Sequence, residues 1–166
     1  MPEHVVDWRY EGEWGTDLVD TEGARLAAVA EQLLAALAAG EAADRGAPLE
    51  LSLLLTDDAG IHPLNAQWRA VDRPTDVLSF PLDEGPTLGD VVISLETAAE
   101  RADPPTWLLE DELAFLLVHG VLHLLGHDHH EAGERAVMEA AEQALWTALG
   151  RAGTLRDAND EAPASS

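Results

Sequence analysis

The alternation of apolar and polar residues predicts four strands along the chain. The strand-like stretches are residues 4–10, 49–55, 76–82 and 89–95. The second of these, LELSLLL, is apolar almost throughout, which is typical of a strand near the centre of a sheet. The third and fourth are separated by DEGPT, a spacing that suits a hairpin or a loose connection.

Apolar residues at intervals of three and four predict the helices. Thr21 is placed to cap a first helix, which ends at Gly40. TDDAG then turns the chain, and IHPLNAQWRA is at best a short helix with Pro63 near its start. Further helices are expected after Leu95, from about 106 to 125, and from about 132 to 149.

This succession of elements predicts one α+β domain over residues 1–150. The length of 166 residues suits a single domain with its own core. We find no internal repeat and no linker-like segment in the sequence. Residues 151–166 are expected to form a disordered acidic tail.

Composition restricts the chemistry that the chain can use. Cysteine is absent, so disulfides and thiolate ligands are excluded, and a metal site would need His, Asp or Glu. The longest apolar stretch, residues 113–118, is too short to span a bilayer, and the first residues do not look like a signal peptide. We therefore expect a soluble cytoplasmic protein with no membrane partner.

The net charge of −23 is the most unusual global property. Nine Arg and no Lys stand against 32 acidic residues. Such a charge argues against broad, sequence-blind binding to nucleic acid, which depends on neutralising phosphates, and no DNA partner is expected. Solubility is the first explanation for the acidity, although one local basic site remains compatible with it.

A histidine-rich segment, HGVLHLLGHDHH at residues 119–130, carries the clearest chemical signal. His119 and His123 are four apart, so a helix presents both imidazoles on one face. Gly126 lets the chain reverse and bring His129 to the same point. This is the metal-ligand spacing of the metzincin proteases. Three protein nitrogens leave one position open, which is typical of a catalytic zinc, and we predict one zinc ion per chain.

Other polar residues of this segment do not fit the ligand spacing. His127 is expected in a pocket wall and His130 in solvent. Asp128 has two interpretations of similar weight: it accepts a hydrogen bond from a ligand imidazole, or it caps a helix.

The residue after the first histidine separates this segment from the proteases. The zincin motif places a Glu there as general base, whereas this chain has Gly120. A peptidase would therefore lack the usual base. A zinc metallohydrolase of the peptidase or amidase type remains the second hypothesis, since a metal can lower the pKa of water by itself.

HGVLHLLGHDH closely resembles the motif of the YbeY family, zinc-dependent endoribonucleases of ribosomal RNA maturation. LNAQWRAVDRPTDVLSFPL, residues 64–82, is similar to a second block of that family, and GDVVIS, residues 89–94, resembles a third. The three blocks span most of residues 64–129 in the right order. His127 departs from the family, which often has Tyr there. We expect this change to alter the pocket rather than remove the metal.

The resemblance implies a small mixed four-stranded sheet with surrounding helices and a zincin-like metal-site helix. It also implies that His119, His123 and His129 carry the zinc and that Arg69 is the essential basic residue. The implied function is single-strand-specific cleavage of ribosomal RNA, including the 3′ end of the small-subunit RNA, together with ribosome quality control. A non-catalytic ribosome-assembly factor with a structural zinc is the third hypothesis.

Arg69 also has a role that follows from chemistry alone. A guanidinium binds two phosphate oxygens at once and can stabilise the charge that develops during phosphodiester cleavage. The competing interpretation is that Arg69 and Arg73 form surface salt bridges with Asp72 and Asp76. For Arg73 the two interpretations have equal weight, and for Arg69 the resemblance favours phosphate. The attacking group stays open between water and the RNA 2′-hydroxyl.

Overall fold

Four strands form one mixed sheet in the computed structural model, which describes residues 4–151 apart from the side chains at 83 and 84. The strands are β1 (Val5–Glu11), β2 (Glu50–Thr56), β3 (Val77–Glu84) and β4 (Thr87–Ser94). Their order is β1-β2-β4-β3, in which β1 and β4 run parallel to β2, and β3 runs antiparallel to β4. The central position predicted for LELSLLL is confirmed.

Five helices lie within the described residues and surround this sheet. They are α1 (Val19–Ala38), α2 (Asp58–Arg69), α3 (Leu95–Arg101), α4 (Leu109–Leu124) and α5 (Ala132–Ala148). The prediction of an α+β fold with a small mixed four-stranded sheet and surrounding helices is therefore confirmed. Residues 152–166, where the disordered tail is predicted, lie outside the described residues.

The start of α2 corrects the sequence interpretation of TDDAG as a simple turn. The Asp57 carboxylate accepts a hydrogen bond from the Gly60 amide at 2.9 Å, so it caps a helix that begins at Asp58. Pro63 therefore lies inside the helix. Pro63 has no N–H to donate to the carbonyl of Ala59, so the helix lacks this hydrogen bond near its start. The helix is longer than the short one predicted.

Two other helix starts also differ from the prediction by a few residues. Helix α1 begins at Val19, because the Leu18 amide bonds to the Gly15 carbonyl and the Glu22 amide bonds to the Leu18 carbonyl. Thr21 is inside the first turn and does not cap it. The long helix begins at Leu109 rather than near 106, because the Asp111 carboxylate accepts the Leu108 amide at 2.9 Å.

The sheet buries different side chains on its two faces. One face carries the larger core, which includes Leu53 of β2, Val91 of β4 and Val77 of β3 together with the apolar stripes of α1 and α4. The other face carries a smaller core of Ile61 from α2 with Leu78 and Val92. Side chains alternate between faces along a strand, so each position of β3 has a defined side.

The last described residue is held against the domain. The Arg151 guanidinium donates to the Asp111 carboxylate at 2.7 Å and lies over the Trp146 ring, 5.3 Å from its centroid. Among the helices of residues 4–151, we find none long and apolar enough to cross a bilayer.

Candidate metal centre

The end of α4 has the geometry that returns the chain toward its own helix. The His127 amide bonds to the Leu122 carbonyl at 3.0 Å, and the Gly126 amide bonds to the His123 carbonyl at 3.0 Å. These two bonds form a Schellman motif, which needs a left-handed residue after the helix. Gly126 supplies it with φ +99°, although a side chain there would meet open space. The requirement for glycine is therefore conformational.

The reversal brings His129 back to the two histidines of α4. The ligand nitrogens of His119, His123 and His129 all lie within 4.8 Å of one another. The Nε2 atoms of His119 and His123 are 3.1 Å apart. Two nitrogens on a tetrahedral zinc, each bonded at 2.0–2.1 Å, are separated by roughly 3.3 Å. The spacing of the two helical histidines therefore suits a single zinc ion.

Hydrogen bonds to the Nδ1 atoms of His119 and His123 determine which ring nitrogen carries the proton. His123 Nδ1 lies 2.9 Å from the His127 carbonyl oxygen, which can only accept, so Nδ1 carries the proton. His119 Nδ1 lies 2.6 Å from Oε2 of Glu142, a residue of α5 that is 1% exposed. The Glu142 carboxylate likewise accepts a hydrogen bond from Nδ1–H of His119. Both Nε2 atoms then face each other as lone-pair donors, which is the state that a metal ion needs.

The electrostatics of the cluster keep His123 neutral. Burial, together with the neighbouring His119 and His129, lowers the pKa of His123 to about 4. A neutral imidazole is the form that binds a metal. Within the described residues this group has three members, so a bound ion would keep a coordination position for a substrate or solvent molecule.

The remaining residues of the histidine segment lie around this centre. His127 Nε2 is 2.6 Å from Oε2 of Glu41, and His127 also lines an open groove of about 350 Å³ between the α4 turn and α5. Asp128 accepts the His129 amide at 2.7 Å and lies 3.2 Å from Nε2 of His130. Glu142, rather than Asp128, makes the hydrogen bond to a ring of the three-histidine group. The His130 side chain is 77% exposed.

Hydrogen bonds through Ser79 of β3 link Arg69 to α4. Its Nη2 donates to the Ser79 carbonyl at 3.3 Å, and the Ser79 hydroxyl donates to the Gly120 carbonyl of α4 at 2.8 Å. Gly120 directly follows His119. The edge strand β3 therefore connects the exposed Arg69 at the end of α2 to the helix that carries two of the histidines.

Buried Asn65 holds the segment that carries Arg73. Its side-chain amide donates a hydrogen bond to the Arg73 carbonyl at 2.8 Å, and its backbone carbonyl accepts one from the Val71 amide at 3.3 Å. Ala70 between them has φ +59°, a left-handed conformation that is unfavourable for alanine. Asn65 stands in the block 64–82, but the sequence did not indicate its anchoring role.

The two acidic residues proposed as partners of the arginines bind other groups. Asp72 Oδ1 lies 2.8 Å from Nε2 of His62, and the buried Asp76 carboxylate pairs with Arg101. Among the side chains that the structure describes, neither Arg69 nor Arg73 has a carboxylate at ion-pair distance. The predicted salt bridges to Asp72 and Asp76 are therefore absent from these two arginines, and both side chains are exposed.

Gly120 faces the sheet and not the three-histidine group. A Cβ at this position would lie 2.9 Å from a methyl group of Val91 and 3.2 Å from both Ser79 Oγ and a methyl group of Val77. Even an alanine would therefore be tighter than normal packing allows. A glutamate there would point into the core between α4 and the sheet.

The chain is similar to known proteins over most of its length. Residues 15–150 match the family model described as Endoribonuclease YbeY. A protein of that name from Pelotomaculum thermopropionicum is 46% identical over 135 residues, which cover 76% of this chain and 83% of that protein. The Rhizobium etli protein is 46% identical over 110 residues, 62% of this chain and 64% of that protein. A solution structure of a Thermotoga maritima protein covers 97% of this chain and 99% of its own, at 22% identity and TM-score 0.48.

Proposed function

Because the chain belongs to the endoribonuclease YbeY family, we propose that it is a zinc-dependent endoribonuclease that cleaves single-stranded ribosomal RNA. The proposal includes the cytoplasm as its location, maturation of the small-subunit RNA 3′ end, and a part in ribosome quality control on the ribosome itself. Metal dependence is supported by the group formed by His119, His123 and His129, whose possible ligand atoms lie within 4.8 Å of one another.

The chain's residues prepare this group for a divalent ion. Glu142 and the His127 carbonyl each accept a hydrogen bond from an Nδ1–H group, so the two Nε2 lone pairs of α4 converge. Lone pairs 3.1 Å apart repel unless a proton or a cation lies between them. Zinc bound there would act as a Lewis acid toward a phosphoryl oxygen.

Arg69 is proposed to bind the phosphate of the RNA. Its side chain is exposed, and no carboxylate among the described side chains lies at ion-pair distance from it. Hydrogen bonds through Ser79 link it to α4. A planar guanidinium holds two phosphate oxygens and opposes the negative charge of the transition state. Among the described residues the guanidinium donates one hydrogen bond, to the Ser79 carbonyl, so donors remain for a substrate.

The peptidase alternative loses support at position 120. The general base of that class follows the first histidine, and here the position is a glycine packed against Val91 and Val77. The alternative of a non-catalytic assembly factor predicts a fourth protein ligand, as in structural zinc sites. Within the described residues the ligand group contains three.

The test compares two variants in one set of assays. Elemental analysis of the purified protein should give close to one zinc or similar divalent ion per chain, and His123→Ala should remove most of it. Arg69→Glu should abolish cleavage of a single-stranded RNA while leaving metal content and thermal stability nearly unchanged, because Arg69 is exposed and outside both cores.

Arg135→Glu is the matched control for the charge reversal. Arg135 is also exposed and has no carboxylate at ion-pair distance among the described side chains, but it lies on α5. Its variant should cleave RNA at close to the normal rate. Full metal retention in His123→Ala would refute the assigned centre, and full activity in Arg69→Glu would remove Arg69 from the site.

A further inference from the structure

Trp68 is a large aromatic side chain that the fold leaves in solvent. It is 59% exposed and occupies the last turn of α2, directly before Arg69. It is absent from the smaller core, where α2 contributes Ile61 and Leu64. Burial of its ring therefore does little to hold α2 on the sheet.

The indole ring nevertheless has one aromatic neighbour. Its centroid lies 6.1 Å from that of Phe80 on β3, with an angle of 75° between the two ring planes. An edge-to-face pair of this kind is favourable and limits the rotamers of both rings. Phe80 in turn packs on the smaller core. Trp68 is thus held in place while most of its surface remains open.

Within the described residues, two arginines close to Trp68 in the sequence lack acidic partners, as does Arg135 on α5. Arg69 directly follows Trp68 and Arg73 lies five positions on, and neither has a carboxylate partner among the described side chains. By contrast, Arg9, Arg25, Arg101 and Arg151 each pair with an acidic residue. In a chain of net charge −23, two unpaired arginines within five residues of an exposed indole favour a ligand that is both anionic and aromatic.

We propose that Trp68 is a stacking platform for one unpaired nucleobase of the substrate RNA, with Arg69 and Arg73 on the phosphates beside that base. This inference rests on the proposed function and names how the site recognises single strands. Proteins that bind single-stranded nucleic acid combine aromatic rings for the bases with cations for the backbone. A base inside a duplex has no free face, so the platform favours unpaired RNA.

A protein partner would use this surface differently. Leu82, two residues beyond Phe80 on the same strand, is 44% exposed. An apolar protein contact would engage Leu82 as well as Trp68. A nucleobase needs the indole face and gains little from an aliphatic side chain. Leu82→Ala is therefore the control that separates the two.

The experiment measures binding of a 12-nucleotide, unstructured 2′-O-methyl RNA to the zinc-loaded full chain by anisotropy, with RNA integrity checked on a gel. A stacked base contributes about 1–3 kcal/mol, so Trp68→Ala should weaken binding by about 5-fold to 150-fold. Trp68→Phe should recover most of the affinity, and Leu82→Ala should bind like the unchanged protein. Binding should also quench the fluorescence of Trp68.

A second probe isolates the base from the phosphates. The same RNA made without bases in its central nucleotides should bind the unchanged protein and Trp68→Ala equally. Circular dichroism and a thermal melt confirm that each variant is folded, as the 59% exposure of Trp68 leads us to expect.

The outcomes separate this inference from the proposed function. If the unchanged protein binds RNA and Trp68→Ala binds it equally well, the platform is refuted and RNA cleavage can still stand. Equal losses in Trp68→Ala and Leu82→Ala also overturn it, in favour of a general apolar contact. If Trp68-dependent binding is present but no RNA is cleaved, the inference holds and the proposed function fails. If no RNA binds, both are wrong.

Discussion

At the scale of single residues, the candidate centre depends on the groups that accept hydrogen bonds from the imidazole Nδ1 atoms. The Glu142 carboxylate is 1% exposed and reaches His119 from a separate helix. The buried acid holds one ring in the tautomer that leaves Nε2 free, and the His127 carbonyl does the same for His123. Such partners fix ligand orientation and increase the basicity of the ring.

Replacing Glu142 should therefore weaken metal binding without removing a ligand. Glu142→Gln keeps the size of the side chain and one acceptor oxygen but removes the negative charge. We expect zinc affinity to fall by about 10-fold to 100-fold, the range for lost partners of metal ligands. Competition with a chromogenic chelator measures it. Glu139→Gln, on the same helix, is the control and should bind zinc normally; equal affinities in all three proteins would contradict the role of Glu142.

The low pKa of His123 predicts how the metal-free protein responds to acid. In the unfolded chain its pKa is near 6.5, and in the fold burial and the two neighbouring histidines lower it to about 4. Between these values the unfolded state binds a proton that the folded state does not. The contribution to stability is therefore complete above pH 6.5 and is lost progressively as pH falls toward 4.

Urea denaturation of the metal-free protein at pH 7, 6 and 5 tests this prediction. The denaturation midpoint should fall more steeply with acid in the unchanged protein than in His123→Gln, which has no titrating group at this position. The many carboxylates titrate in both proteins and cancel in the difference. Parallel pH curves would show that His123 is not neutral in the folded state.

At the scale of elements, α4 can approach the sheet closely because of one glycine. The Ser79 hydroxyl reaches the Gly120 carbonyl at 2.8 Å, and the methyl groups of Val77 and Val91 fill the space where a Cβ would be. The same helix carries His119 and His123, so the distance between α4 and the strands also sets where the metal ligands stand relative to Arg69.

Adding a methyl group at this contact should destabilise the fold. Gly120→Ala places a Cβ 2.9 Å from a Val91 methyl, and overpacking of a core contact costs about 1–3 kcal/mol, more than the gain in helix propensity of about 1 kcal/mol. Thermal denaturation measures the loss. Gly133→Ala on α5 is the matched control, because its Cβ would meet nothing within 4 Å. Equal melting temperatures for the two variants would contradict the close approach.

At the scale of the whole molecule, the acidic surface and the local arginines act in opposite directions on RNA. A net charge of −23 repels RNA, and this repulsion is screened over roughly 8–10 Å near physiological ionic strength. Arg69 and Arg73 attract phosphates most strongly at low salt. Arg101, which lies in the same part of the sequence, is already paired with Asp76. Few phosphates can therefore be neutralised.

The affinity for RNA should depend only weakly on salt, or even rise from low to moderate salt. Typical nucleic-acid binders lose affinity steeply, since each neutralised phosphate releases counterions. Anisotropy of a single-stranded RNA with a cleavage-inactive variant, measured across a salt series, checks this expectation. A slope as steep as that of a protein with six or more phosphate contacts would reveal an extended basic surface.

The sequence by itself determined what depends on neighbours along the chain. The four-residue interval puts His119 and His123 on one helical face, and Gly126 permits the left-handed turn that returns His129. A mostly apolar run such as 49–55 indicates a central strand because strands inside a sheet bury more of their residues than edge strands do. These features follow from helix and strand geometry, which is local.

Only the tertiary structure decided which distant groups meet. Glu142 is one of several acidic residues on α5 in the sequence, and helix packing alone brings it to His119, 23 positions away. By their positions in the sequence, Asp72 and Asp76 were possible partners of Arg69 and Arg73. In the structure Asp72 pairs with His62 and Asp76 with Arg101, so the two arginines remain available to a ligand. Trp68 is apolar and yet exposed, because α2 ends at the edge of the sheet. Periodicity states which residues share a face, whereas packing determines what that face contacts.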